Sequence, residues 1–254
     1  LGDSQLLCNF LKTKVISNFR DEDIISGGEG APLAPIYHQL LIKELKFPLP
    51  SCFLNIGGIS NLTFWDGYQL VGFDTGPGNC MMDTYMQKIF NLDYDDAGKL
   101  ASTGKINLQI KDLFLNNTFF KKPYPKSLDK QEFNHIINLI YDMNIEPSDA
   151  MATLSECTFL SIFKAIQLLP KKPNNLIIMG GGVHNLHLLK KLKSIEGINI
   201  STAEEKSIPG DFIEAELIAF LAARSIFKLP ITFPNTTGVK SPLCGGKQYI
   251  QNNI

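Results

Sequence analysis

Long apolar runs are missing from this 254-residue chain: stretches such as Leu217 to Ala223 fall far short of the about 18 residues that span a bilayer. A membrane helix is therefore not expected. Excess charge of either sign is missing too. The 24 Lys+Arg against 25 Asp+Glu leave a net charge of −1, so no whole-molecule positive field exists to hold nucleic acid or an anionic membrane. Cysteine pairing is absent as a pattern: Cys8, Cys52, Cys80, Cys157 and Cys244 are odd in number and never form C-x-x-C, which indicates neither a zinc knuckle nor a disulfide framework. All five read as buried structural thiols. No charged-then-apolar leader follows Leu1, and the expected compartment is the cytoplasm. What is abundant is core material, at 44% hydrophobic residues.

Apolar runs at 14–17 and 52–56 bracket the loop Ser26-Gly27-Gly28-Glu29-Gly30-Ala31-Pro32 and a helix-like segment from Pro35 to Leu45. Residues 62–65 and 68–73 flank Asp66-Gly67, a dipeptide that tolerates positive φ and predicts a β-hairpin. Met81, Met82, Tyr85, Met86 and Ile89 recur at helical spacing behind Asn79, which reads as the cap. The stretch 91–129 is irregular, with a short helix and charges expected in solvent. Residues 148–169 read as the clearest helix, its stripe of Met151, Leu154, Phe159, Ile162, Phe163 and Ile166 forming core. Leu176-Ile177-Ile178-Met179 reads as a central parallel strand. Helices over 185–192 and 211–227 and a last strand near Gln248 complete an α/β pattern.

Three glycine clusters lie at strand ends: Asn55-Ile56-Gly57-Gly58-Ile59-Ser60-Asn61, Gly72-Phe73-Asp74-Thr75-Gly76-Pro77-Gly78-Asn79 and Gly180-Gly181-Gly182-Val183-His184-Asn185. Glycine lets backbone N–H groups approach an anion, and a following helix adds its positive end, so each cluster is a candidate nucleotide contact. The plainer reading is that glycines merely end strands, and the threefold recurrence weighs against it. None matches G-x-G-x-x-G or the P-loop pattern. Asp74, at the carboxyl end of a strand, points toward the crevice where open α/β sheets bind ligands and could act there as a general base.

Other motifs carry less. Asp93-Tyr94-Asp95-Asp96 fails as a calcium loop because Gly104 stands where a bidentate Glu is needed. His184 and His187 lack further metal partners and read as a helix-start and a surface histidine. Lys190, Lys191 and Lys193 read as a solvated helix face. Glu204 and Glu205 read as surface acids, and Glu214, opening a long helix, as only weakly ligand-facing.

Taken together, Asn18-Phe19-Arg20 through Asp23, Gly27 to Leu33, Leu54 to Asn61, Gly72 to Asn79, Pro125-Lys126-Ser127, Ala152-Thr153-Leu154, Gly180 to Gly182 with Asn185, Ile208 to Asp211 with Glu214-Ala215, and Thr237-Gly238 resemble anhydro-N-acetylmuramic acid kinase, of the sugar-kinase/actin superfamily. The resemblance covers nearly the whole chain. It implies an actin-like ATPase (ribonuclease H-like) fold with mixed sheets flanked by helices: residues 1–48 from an incomplete first lobe, 49–228 as a second lobe and 229–254 as a tail returning to the interface. It implies ATP and Mg²⁺, the sugar 1,6-anhydro-N-acetylmuramic acid and a homodimer. Asp74 would be the base. Asn55, Gly57, Gly58, Asn61, Gly76, Gly78, Gly180, Gly181, Gly182 and Asn185 would contact nucleotide, and Gly28, Glu29, Gly30, Ala31, Pro32 and Glu214 the sugar; no protein metal ligands are assigned.

Departures accompany it. The family's Gly-Thr-Ser-x-Asp-Gly phosphate loop does not occur in the chain, Glu29 stands where Gln is expected, and Leu128-Asp129-Lys130 replaces Thr-Gly-Arg. A catalytically inactive remnant binding at most sugar or nucleotide is thus the alternative expectation. An actin-like ATPase acting on protein partners is a third, without use for the sugar loop.

Overall fold

The computed structural model describes residues 2–129 and 131–251; Leu1 and Lys130 lie outside the described residues, as does the Asp211 side chain. The chain begins with α1 (Ser4–Leu11), β1 (Val15–Ser17), α2 (Asp21–Ile25) and α3 (Pro35–Glu44). The main sheet follows, from β2 (Ser51–Ile56), β3 (Ile59–Trp65), β4 (Leu70–Pro77), β5 (Asn175–Met179) and β6 (Asn199–Thr202). Between β4 and β5 lie α4 (Cys80–Phe90), α5 (Leu108–Leu115), α6 (Asn134–Asp142) and α7 (Pro147–Gln167). After β5 come α8 (Leu186–Lys193), α9 (Ile213–Ile226), α10 (Pro234–Thr237) and β7 (Lys247–Tyr249), which pairs antiparallel with β1.

The sheet order is β4-β3-β2-β5-β6, with β3 antiparallel to both neighbours and β2, β5 and β6 parallel. This is the mixed, ribonuclease H-like order that the resemblance implies. The hairpin forms where Asp66-Gly67 predicts it: Asp66 Oδ1 accepts from the N–H groups of Tyr68 and Gln69 at 2.9 and 2.8 Å.

Alternation along the strands divides the core. Cys52, Leu54, Phe64, Phe73, Leu176 and Ile178 face α7 and α8, whereas Phe53, Trp65, Ile177 and Met179 pack with Ile36, Tyr37 and Ile42 of α3 and Ile213 and Leu221 of α9. Burial on both faces explains the apolar run from Leu176 to Met179 in β5. A third cluster, among α4 to α7, centres on Phe114, Phe119, Phe120 and Phe133.

Several expectations need correction. Cys244 is exposed and Cys80 half-buried, so the thiols are not uniformly core. Asn79 makes no side-chain cap: its backbone is already helical, not extended, and its own N–H donates to the Gly57 carbonyl. In the 91–129 stretch Asp95 and Lys126 are buried, Asp95 because both its oxygens hold backbone amides of Leu100 and Ala101. Phe159 and Phe163 are half-buried beside a groove rather than core. His184 is the exposed histidine, while His187 is half-buried with Nε2 lacking a partner. Lys191 and Lys193 are ion-paired to Glu156 and Glu205.

Candidate active site

Register builds the site. Asn55 of β2 pairs with Asn61 of β3, and Asn61 pairs across to Asp74 of β4. Met179 of β5 continues the row on the other side of Asn55. A bulge between Ser60 and Asn61 shifts the β3–β4 register at this point, so that Ser60 opposes Gly76. Three polar side chains thus stand in line across neighbouring strands of the sheet.

The row lines a cavity of about 570 Å³ between the sheet, α3, the loop before it and α9. Asp74, Asn55, Asn61 and Gly180 share it with Ala31, Pro32 and Glu214. The cavity also takes in Arg20, Leu33, Ala34 and His38, to which the sequence reading assigns no role. Arg20 sits inside the motif Asn18-Phe19-Arg20 and could have been found there.

Asp74 is half-buried and clamped from one segment. Its N–H donates to the Lys126 carbonyl at 3.0 Å, and its Oδ2 accepts from the Leu128 N–H at 2.9 Å. Desolvation pushes the carboxyl from its ordinary 3.8 up to about 6, a rise that the Leu128 bond only partly offsets. Such a carboxylate is a usable proton acceptor near neutral pH. Lys126 anchors the clamp from behind: its Nζ donates to the Phe119 carbonyl at 3.2 Å and lies over the Phe119 ring. Burial and the nearby Lys122 charge lower Lys126 to about 8.

The sugar-loop glycines stand behind the cavity wall. Asp23, 1% exposed, accepts from the Gly30 N–H at 2.7 Å and from the Thr237 hydroxyl at 2.6 Å. Gly28 packs so tightly there that an added Cβ would lie 2.2 Å from Asp23 Oδ1. Glu29 is exposed, and its N–H donates to the Thr237 carbonyl. Gly28, Glu29 and Gly30 therefore shape the loop, while Ala31 and Pro32 reach the cavity.

The nucleotide candidates divide as well. Gly181 and Asn185 line a second cavity of about 560 Å³ with Asn79, Met82, Asp83, Tyr94, Asp95, Asp96, Ala97 and His184. Asp83 is raised to about 6 there, by burial and then by the Asp93 charge. Asn185 also caps α8, its Oδ1 accepting from the Leu188 N–H at 3.0 Å. Gly180, at φ +82°, adopts the left-handed backbone that joins the two cavities. Gly57 and Gly58 form the β2–β3 turn, to whose carbonyls the chain after β4 is tied. Gly76, Gly78 and Gly182 are buried and line neither cavity: an added Cβ would meet Ser161, the Gly57 carbonyl and Ile56 respectively.

Fold and site together define an α/β protein with a half-buried carboxylate, raised by desolvation, on the wall of a cavity beside the sheet. A family model for anhydro-N-acetylmuramic acid kinase matches residues 1–251, and the chain belongs to that family. Relatives of that name include proteins of Zymomonas mobilis, 39% identical over 249 residues, and of Phenylobacterium zucineum, 39% identical over 254 residues. Each match covers 97% of this chain, against 67% and 66% of the relative, so the chain spans about two thirds of their length. Among solved structures, an activator of 2-hydroxyisocaproyl-CoA dehydratase from Clostridium difficile with bound ADPNP is 15% identical at a TM-score of 0.45, covering 72% of this chain and 64% of its own.

Proposed function

We propose that the chain carries the catalytic site of an ATP-dependent kinase that opens 1,6-anhydro-N-acetylmuramic acid with water and phosphorylates it, giving N-acetylmuramic acid 6-phosphate for cytoplasmic peptidoglycan recycling. The observation that carries this reading is Asp74, a desolvated carboxylate raised to about 6 on the wall of the cavity reached by Ala31, Pro32 and Glu214. Family membership supplies the substrate class.

In this mechanism Asp74 takes a proton from a water molecule as its oxygen bonds to the anomeric carbon. The bond from that carbon to O6 breaks, and O6 receives the γ-phosphoryl group, releasing ADP. The protein's part is to place water, sugar and phosphate and to hold the proton at Asp74. The Leu128 N–H fixes one carboxylate oxygen, which leaves the other to face the water.

The second cavity fits a nucleoside: Gly181 gives an open backbone, and Asn79, Asn185 and Asp83 offer polar groups. Among the described residues no cluster of three or more His, Cys, Asp or Glu forms a metal cage. Mg²⁺ would be held chiefly by the phosphates, where it would neutralise charge during transfer. Residues 1–48 would then belong to the first lobe and 49–228 to the second, with the tail from 229 onward returning toward their interface, and a homodimer is the expected assembly.

The test supplies the chain with ATP, Mg²⁺ and the anhydro sugar in ¹⁸O-water. The expected product carries phosphate on O6 and ¹⁸O at the anomeric carbon, with none formed by Asp74→Asn. Binding of sugar or nucleotide without any product would instead support the inactive remnant.

A further inference from the structure

His38 is one of four histidines and belongs to no motif, yet it lies at the floor of the Asp74 cavity. It is 2% exposed. Its ring stacks on Phe53 with centroids 4.9 Å apart and planes 15° from parallel, and its Nδ1 lies 2.8 Å from Thr63 Oγ1. Phe53 and Thr63 are themselves cross-strand partners on β2 and β3. The next row of the sheet on that face is Asn55, Asn61 and Asp74. The imidazole is therefore held on one face and one edge, one row behind the polar line, and its Nε2 makes no hydrogen bond among the described residues.

Thr63 fixes which nitrogen carries the proton. Its side chain is 1% exposed and has no other acceptor among the described residues. Were Nδ1 the donor, the Thr63 hydroxyl proton would be buried without a partner, which is unfavourable. The favourable arrangement has the Thr63 O–H donating to Nδ1 and the ring proton on Nε2. Full burial lowers the ring to about 3, so it carries no charge at neutral pH. An N–H without a partner among the described residues, rigidly mounted at a ligand-sized cavity, is left to donate to whatever fills that cavity.

The geometry points to His38 as a specificity-determining contact whose Nε2–H donates to an uncharged oxygen of the bound sugar, a hydroxyl or an amide carbonyl. This rests on the sugar-kinase reading above. Being neutral, the ring adds no cation that would draw Asp74 back toward the ordinary carboxylate range. It therefore selects substrate without weakening the base.

The test measures binding of 1,6-anhydro-N-acetylmuramic acid to the full chain by calorimetry. His38→Phe keeps an aromatic face on Phe53 and removes the N–H, and is expected to weaken sugar binding by roughly ten- to hundredfold while leaving ADP binding unchanged. His38→Gln, which restores an N–H, should recover most of the loss. In the unaltered protein, ¹⁵N spectra should show an Nε2-protonated ring whose Nε2 signal moves when sugar saturates the site. An Nδ1-protonated ring, or sugar affinity in folded His38→Phe equal to the parent, overturns the contact and leaves the kinase reading standing. A parent that binds ADP but no anhydro sugar overturns both.

Discussion

Thr237 and Asp23 lie 214 positions apart in sequence, yet the Thr237 hydroxyl donates to Asp23 Oδ2 at 2.6 Å inside the protein. The same carboxylate holds Gly30 through its other oxygen, so the short helix near the chain's end braces the loop that enters the Asp74 cavity. Removing the brace should be felt in stability and in sugar affinity together. Thr237→Val leaves a buried carboxylate oxygen without its donor and is expected to cost about 1–3 kcal/mol in urea unfolding. Gly28→Ala, which forces a methyl into Asp23, should raise the sugar KM more than the ATP KM.

Asp74→Asn should abolish turnover, by about 10²–10⁴-fold or more, because the amide cannot accept the water's proton. In the parent kcat/KM should climb as pH rises through about 6 and then level, since only the ionised carboxylate works. Stability should move the opposite way. A carboxyl raised in the folded state makes the protein most stable below its unfolded value of 3.8, and that advantage is lost as pH rises through about 6. The variant escapes this loss, so its advantage in unfolding free energy should grow from near zero at pH 4 to about 1–3 kcal/mol at pH 7. An equal pH dependence for the two proteins would remove the case for a desolvated base.

Gly180→Ala tests the turn after β5. Its φ of +82° strains any residue with a Cβ, and that atom would lie 2.3 Å from Asn55 Oδ1. The expected result is a loss of about 1–3 kcal/mol in stability together with weaker ADP binding by fluorescence titration. Gly210→Ala, where no atom lies within 4 Å of the added Cβ, should leave both nearly unchanged.

Phe133 contacts three other phenylalanine rings, with its ring centroid 4.8 Å from that of Phe114. Phe133→Ala should destabilise by about 3–5 kcal/mol in chemical denaturation. Phe159→Ala, at the edge of a groove, should cost clearly less, with the Asp74 site intact.

Much of the sheet was legible because local chemistry agrees with it. Asp66-Gly67 makes its own turn, and the run 176–179 is apolar because both its faces are covered. Asp74 was legible from the glycines around it, although β4 continues past it to Pro77 and does not end there. His38 was not, because its meaning depends on Phe53 and Thr63, which only the folded sheet brings beneath it. The Asn79 cap was misread for a similar reason: the β2–β3 turn ties down the Asn79 and Cys80 amides and holds Asn79 in a helical backbone, unlike a capping residue. Lys126 looked solvated, but its ammonium lies over the Phe119 ring and donates to the Phe119 carbonyl, neither visible in a run of lysines and prolines.

Gly180 lines one chamber and Gly181 the other, one peptide link apart. Gly180 rests almost on Asn55, and Gly181 faces Asn79. A change made at this link therefore reaches the walls of both chambers at once.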